Sequence, residues 1–387
     1  MRTAPGATFR QAAAAGFSLL AQQFVTPCIF EDNFWFGGNT LRTCLGYLLP
    51  AKQPDSQELV RKAFDVYSSL ESQSDWWRDD YAWWGTAFLV AIRNESALGY
   101  PSGDPLFTSL RAATAHCWQQ LNDNWRDTAY PGAPTISGGV FNTTQPQAMA
   151  GRNSVTNEGF WLLSDGLAGL DPTQPEYAKM AAAEQDWFGK WLALAGKPPN
   201  TNGILNGDGL VLERPLGNPD DPDWYWSGDQ GLFITALAAS GQNDLAGRIA
   251  QSVVKNMTDD DLVLHENLGF TTNPSLAGFI ADYATGKGVL MRNIASFVAP
   301  NPSPLFVDFI TKNAAAVWCN QLGASQFAFN WNPSVPGHEP TVLSVDGKSW
   351  ALCYLIMQAA GQDALNAALA IAPDEQITCP SQAPAPD

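Results

Sequence analysis

The sequence predicts an all-α protein folded as an (α/α)6 barrel, a toroid of six inner and six outer helices, and three observations predict it. Apolar residues recur at helical spacing in twelve segments. The connections between those segments alternate between short and long. Every second segment is apolar nearly all round, as in Trp83-Trp84 followed by Ala87-Phe88-Leu89-Val90-Ala91, and a helix apolar on every side is a buried one.

Taken in order, the periodicity predicts helices over residues 9–24, 34–49, 56–70, 80–97, 105–122, 153–170, 175–195, 228–240, 243–255, 283–299, 304–321 and 344–361. Odd-numbered segments such as Ser56 to Leu70 keep one polar face and belong outside. The links that follow inner helices are short, for example Asp171 to Gln174 and Gly241-Gln242. Those that precede them, residues 123–152, 196–227, 256–282 and 322–343, are long and rich in Gly, Pro and Asn. Loops beyond about 15 residues are uncommon in compact domains and usually functional. One rim, where the inner helices begin, should therefore carry the function. A short extended piece from Ile136 to Phe141 is the longest strand-like pattern. The whole chain, 1–387, is expected to be one domain, with 372–387 a Pro-rich tail.

Composition narrows the ligand. With 21 Lys+Arg against 38 Asp+Glu, the charge of −17 repels nucleic acid, anionic lipid and uronate polymers. No run reaches the length of a membrane span, and Ala12 to Phe24, broken by Gln22 and Gln23, is not a signal-peptide core. Six cysteines without a C-x-x-C pair and three histidines spell no metal site, and no cofactor motif is present. The even cysteine count fits up to three disulfides in an exported protein or six buried thiols; Cys28 and Cys44 are one possible pair. An extracellular monomer acting on a neutral oligo- or polysaccharide is the expectation.

The chemistry is expected at Trp76-Trp77-Arg78-Asp79-Asp80-Tyr81-Ala82-Trp83-Trp84, where two carboxylates sit between tryptophan pairs at a helix start. The helix dipole favours one ionised acid, and a like charge beside it raises the pKa of the other. Capping alone is the competing explanation. Trp35 and Asn39, Asn157, Asp208, Trp224, Trp226, Asp229 and Gln230 open or precede other inner helices. They supply the polar groups and ring faces that a pyranose takes. Trp118, Trp187, Trp191, Trp318 and Trp350 are expected in the core. His116, His265 and His338 lack an acid partner in sequence.

These motifs resemble, in order, those of glycoside hydrolase family 76, the endo-α-1,6-mannanases. Asp79-Asp80-Tyr81-Ala82-Trp83-Trp84 is similar to that family's Asp-Asp-Asn-Ala-Trp-Trp, and Gly138-Gly139-Val140 to its Gly-Gly-Ile. Asn153 to Asn157, Asp208-Gly209-Leu210, Gly228 to Gly231 and Gly286-Lys287-Gly288 with Arg292-Asn293 resemble further segments. The resemblance implies an (α/α)6 fold and retaining hydrolysis of α-linked mannan, with Asp79 as nucleophile and Asp80 as acid/base. Trp77, Tyr81 and Lys287 would then join the substrate-binding set. Tyr81 where the family has Asn, Arg78 before the pair and the Trp224 to Ser227 approach depart from the pattern and bear on sugar and linkage. A transglycosylase of the same fold and a catalytically silent glycan-binding protein are the alternatives. A histidine-dependent epimerase or a uronate lyase fits the three histidines and the acidic charge poorly.

Overall fold

The structure, a computed structural model, describes residues 6–25, 34–52, 56–144, 151–194, 203–216, 224–266, 280–322, 326–335 and 351–379. Among them are twelve α-helices: α1 Phe9–Val25, α2 Phe34–Ala51, α3 Ser56–Leu70, α4 Arg78–Arg93, α5 Pro105–Asn122, α6 Ser154–Leu170, α7 Pro175–Leu192, α8 Ser227–Ala239, α9 Asn243–Asn256, α10 Ile280–Val298, α11 Pro304–Cys319 and α12 Ala351–Ile371. A two-stranded antiparallel hairpin, β1 Ala129–Tyr130 and β2 Ala133–Ser137, lies in the α5–α6 connection.

The even-numbered helices form a closed ring. α2 packs on α4, α4 on α6, α6 on α8, α8 on α10, α10 on α12, and α12 returns to α2. The odd-numbered helices lie outside: α1 on α12 and α2, α5 on α4 and α6, α7 on α6, α9 on α8, and α11 on α12. This is the (α/α)6 barrel. Close approach at the seams needs glycine: a Cβ on Gly38 would fall 2.7 Å from the Trp84 backbone nitrogen, and one on Gly288 would fall 2.5 Å from Ala360 Cα. The aliphatic and aromatic core fills the space between the two rings, with Trp84, Trp187 and Trp191 fully buried. Trp118 and Trp318 are buried as expected. Trp350 lies outside the described residues.

The boundaries depart most at α12, which runs ten residues beyond the expected end at residue 361. The expected end falls at Gly361, but Gly361, Gln362 and Asp363 each have a packing reason to continue the helix. Phe327 occupies the space a Gly361 Cβ would need, Gln362 donates to Ala13 O at 3.0 Å, and Asp363 accepts from Arg292. The first part of the expected tail is docked: Phe9 N donates to Glu375 O at 3.2 Å, Ile377 N donates to Ala7 O at 2.8 Å, and Cys379 is bonded to Cys319. Cys44 and Cys117 are free, buried thiols, so the Cys28–Cys44 pairing is not formed. Among the described residues no helix is long and apolar enough to cross a membrane.

Candidate active site

The N-termini of the inner helices converge on one rim, and acids occupy the first turns of α4, α8 and α10. Asp79 and Asp80 are the second and third residues of α4, Asp229 is the third of α8, and Asp282 sits in the first turn of α10. Carboxylates meet the positive end of the helix dipole at such positions. The residue that caps α4 is Trp77, with no side-chain cap bond, so Asp79 is not the N-cap. Three more acids join from elsewhere. Glu158 projects from α6; Glu213 lies in the segment before α8 and Glu266 in that before α10.

The two loop glutamates reach sideways to the preceding inner helix. Glu213 Oε1 accepts from Asn153 Nδ2 at 3.0 Å at the α6 start, with Ser154 N donating to the Glu213 carbonyl at 2.9 Å. Glu266 accepts from the Ser227 amide at 3.2 Å and from its hydroxyl at the α8 start. Neither glutamate, nor Glu158 or Asp282, stands out in sequence. Only the ring closure that makes neighbours of separate helices assembles them.

Burial raises the pKa of all seven carboxyls, and repulsion from neighbouring acids adds to it for five of them. For Asp79 burial pushes it up to about 7, against a backbone hydrogen bond that lowers it, with Glu213 adding repulsion. Asp80 stands well above the usual range through burial, then Asp79 and Asp282, only partly offset by Arg78. Glu158, Asp229 and Asp282 are likewise raised well above it, by burial and then by neighbouring acids. Glu213 is raised by burial, and Glu266 lies at about 7. The Oδ1 of Asp79 and both carboxyl oxygens of Glu158 are buried without a hydrogen-bond partner, and the Asp229 and Glu213 carboxyls lie within hydrogen-bond reach of each other. Near neutral pH the adjacent pair therefore divides its roles: Asp80 holds a proton while Asp79 can give its proton up.

An aromatic floor lies beneath the acids. Trp35, Trp83, Trp224, Trp226, Tyr283 and Phe329 belong to one buried cluster, with Trp35 5.4 Å and Trp226 6.3 Å from Trp83, ring centre to ring centre. Trp226 Nε1 donates to Asp282 O at 2.8 Å, and Trp224 Nε1 donates to the Tyr283 hydroxyl. Asn39 is buried, with its Oδ1 unpartnered. Trp77 is 51% exposed beside the pair.

Other expected sugar ligands are turned to structural work. Asn157 donates to Val140 O and Asn153 O and accepts from Val140 N at 2.6 Å. Gln230 does the same for Val211, accepting from its N at 2.7 Å and donating to its O at 2.7 Å. Each is the fourth residue of its inner helix and clamps the loop in front of it. Tyr81 faces the outer layer, against Phe34 and His116, with its hydroxyl 3.5 Å from Glu71 Oε1. Lys287 is buried, donates to Phe329 O and lies 4.5 Å from the Trp331 ring centre. Asp208 is exposed on a turn whose carbonyl accepts from Asn256 of α9 at 3.3 Å, apart from the acid cluster. His116 does have an acid partner, Glu71 Oε1 at 2.8 Å, and His265 contacts the Glu266 carbonyl at 3.2 Å. His338 lies outside the described residues. Among the described residues no group of three or more His, Cys, Asp or Glu is placed to hold a metal ion.

No protein-family model matches the sequence. Nor does any curated protein sequence match it. Solved structures do match the fold. An α-1,6-mannanase, GH76A of Salegentibacter sp. HEL1_6, is similar with a TM-score of 0.66 at 17% identity, over 93% of this chain and 98% of that one. That structure is an inactive variant with two adjacent aspartates replaced by asparagine, in complex with α-1,6-mannotriose. The Lin0763 protein of Listeria innocua is similar with a TM-score of 0.67 at 17% identity, over 94% and 97% of the two chains. Dfg5 of Chaetomium thermophilum, in complex with glucosamine, follows at 0.61 and 19%, over 86% and 80%. The chain thus has the (α/α)6 barrel fold of family 76 α-1,6-mannanases, at low sequence identity.

Proposed function

We propose that the protein is a retaining glycoside hydrolase that cleaves an α-linked neutral glycan, α-1,6-mannan first, with Asp79 as nucleophile and Asp80 as acid/base. The observation that carries this reading is the adjacent carboxyl pair of unequal acidity set over an aromatic floor. In the first step Asp79 Oδ attacks the anomeric carbon while Asp80 gives its proton to the departing glycosidic oxygen. In the second, ionised Asp80 takes a proton from water. The water oxygen displaces Asp79 from the glycosyl ester, and both groups return to their starting states. Burial, followed by repulsion from Asp79 and Asp282, keeps Asp80 protonated for the first step. Ionised Asp79 also stabilises the positive charge that develops at the anomeric carbon. The replacement of two adjacent aspartates in the inactive Salegentibacter mannanase supports the same assignment.

Ring faces for sugar stacking come from Trp77 at the rim and from Trp35, Trp224 and Trp226 below it, with Asn39 and Asp229 as polar partners. The acidic surface favours neutral glycans, and action outside the cell fits a polymeric substrate. The test is sugar release from a panel of α-mannans and α-glucans by wild type, Asp79→Asn and Asp80→Asn. Release from α-1,6-mannan is expected to fall by about 10³-fold in each variant. Release from another α-linked glycan alone, lost in both variants, would move the substrate and keep the mechanism. Variants as active as wild type would overturn the assignment.

A further inference from the structure

Below the aromatic floor the bore of the barrel is hollow. A cavity of about 170 Å³ there is lined by Trp83 and Thr86 of α4, Arg42 of α2 and Arg292 of α10, among others. A space of roughly 150 Å³ accepts a benzene ring, so Trp83 stands beside room enough for an aromatic side chain to turn into. Its indole nevertheless belongs to the floor, 5.4 Å from Trp35 and 6.3 Å from Trp226, ring centre to ring centre.

What meets Trp83 among the cavity residues is a charge. The Arg292 guanidinium carbon lies 5.8 Å from the Trp83 ring centre, within reach of a cation–π attraction that is strongest where water is absent. Arg292 is itself held: its Nη1 donates to Asp363 Oδ2 at 2.9 Å, and the same oxygen accepts from Thr43 Oγ1 at 2.9 Å. Arg42 faces both groups from α2 and repels Arg292. The chain of contacts therefore runs from α12 through α10 to α4.

On α4 it ends below the acids. Asp79 and Asp80 precede Trp83 by four and three residues, the spacings at which helical side chains meet, and an aromatic side chain on a helix leans back over the turn before its own. Trp83 is thus an apolar wall for both acids. Burial is the largest cause of the raised pKa of each.

We propose that Arg292 is a positioning residue: braced by Asp363, it holds the Trp83 indole against the catalytic carboxyls and keeps water from them. This rests on the reading of Asp79 and Asp80 as the reacting pair. Without the guanidinium the indole is free to turn into the cavity, water reaches both acids and their pKa falls. Loss of a positive charge alone acts the other way, because it disfavours a carboxylate and raises its pKa. The sign of the change therefore separates a wall from a distant charge. Besides each other, the charged groups that face the acids are Glu213 and Asp282 for Asp79, and Asp282 and Arg78 for Asp80. None of them is altered when Arg292 is replaced.

The experiment is an NMR titration of the full chain carrying carboxyl-labelled aspartate, with the Asp79 signal assigned by its absence from Asp79→Asn. Wild type, Arg292→Met, Arg292→Lys and Trp83→Leu are compared, each shown by circular dichroism to be folded. Asp79 should titrate at about 7 in wild type and about one pH unit lower in Arg292→Met and in Trp83→Leu. Arg292→Lys keeps the charge beside Asp363 and should recover part of the shift. In the hydrolysis assay the acidic limb of kcat/KM should move down with the titration. An Asp79 titration that is unchanged or higher in Arg292→Met, or unchanged in Trp83→Leu, would overturn the proposal. Shifted titrations in a chain whose wild type cleaves no glycan would keep the wall and overturn the assigned reaction instead.

Discussion

The two ends of the bore carry opposite charge and relieve it by opposite means. At the rim, acids crowd together from α4, α6, α8, α10 and the loops between them, and their pKa values rise until protons remove the charge. At the other end Arg42 and Arg292 stay charged and share Asp363 as their counter-ion. The difference follows from chemistry. A carboxyl can exchange a proton near neutral pH and so serve acid–base catalysis, whereas a guanidinium is a permanent charge suited to holding an anion.

Breaking one partner should therefore hurt most at the arginine end. Arg292→Met leaves buried Asp363 without its hydrogen-bonded cation, with Thr43 and Arg42 still facing it, and is expected to cost about 3 kcal/mol in urea unfolding, while adding Asp363→Leu should recover most of the loss. A single-variant loss below about 1 kcal/mol would show that water already screens the pair and that the two ends do not differ in this way.

The loop clamps link the acid end to the helices that carry it. Gln230→Ala strands the Val211 amide and carbonyl two residues before Glu213, and about 1–3 kcal/mol of stability should go with them. Activity should fall further than stability alone explains, because Glu213 helps set the Asp79 pKa. Unchanged activity in a destabilised but folded variant would detach Glu213 from the chemistry.

These residues also show how far the sequence could be read. The Asp79-Asp80 pair was legible because its setting is local: a polar segment, a helix start and flanking tryptophans. The alternation of loop lengths exposed the barrel for the same reason. Asn157 and Gln230 were misread as sugar ligands because polarity near a helix start does not say which way the amide faces. Glu213 and Glu266 were missed because each acts on the neighbouring helix rather than its own. Arg42, Arg292 and Asp363 come from three separate inner helices, and only closure of the ring makes them neighbours. At α12, the expected end at residue 361 falls on a glycine that makes room for Phe327, a contact the periodicity does not show.

Proton uptake at the rim has a sign that can be measured. Carboxyls whose folded pKa is raised bind protons more tightly in the folded than in the unfolded chain. Their stabilisation is full below about pH 4, declines as pH rises and reaches about 7 for Asp79 and Glu266, and continues higher for Glu158 and Asp229. Melting temperature should accordingly fall from pH 5 to pH 8. Glu158→Gln mimics the protonated acid, so it should leave stability at pH 5 unchanged and raise it at pH 8 by about 1 kcal/mol. A pH-independent melting temperature would mean that the rim acids are solvated rather than desolvated. In the hydrolysis assay, turnover should rise with pH through about 7 as Asp79 ionises.

The smallest effect is expected at the exposed edge of the acid end. Trp77 is half exposed and caps α4 without a side-chain bond, so Trp77→Ala should leave the melting temperature within a degree or two of wild type. If its ring stacks on a sugar beside Asp79, KM on the active glycan should rise by the equivalent of about 0.5–1.5 kcal/mol, with kcat nearly unchanged. A loss confined to kcat would place Trp77 at the reacting sugar and make it part of the support of the acid pair.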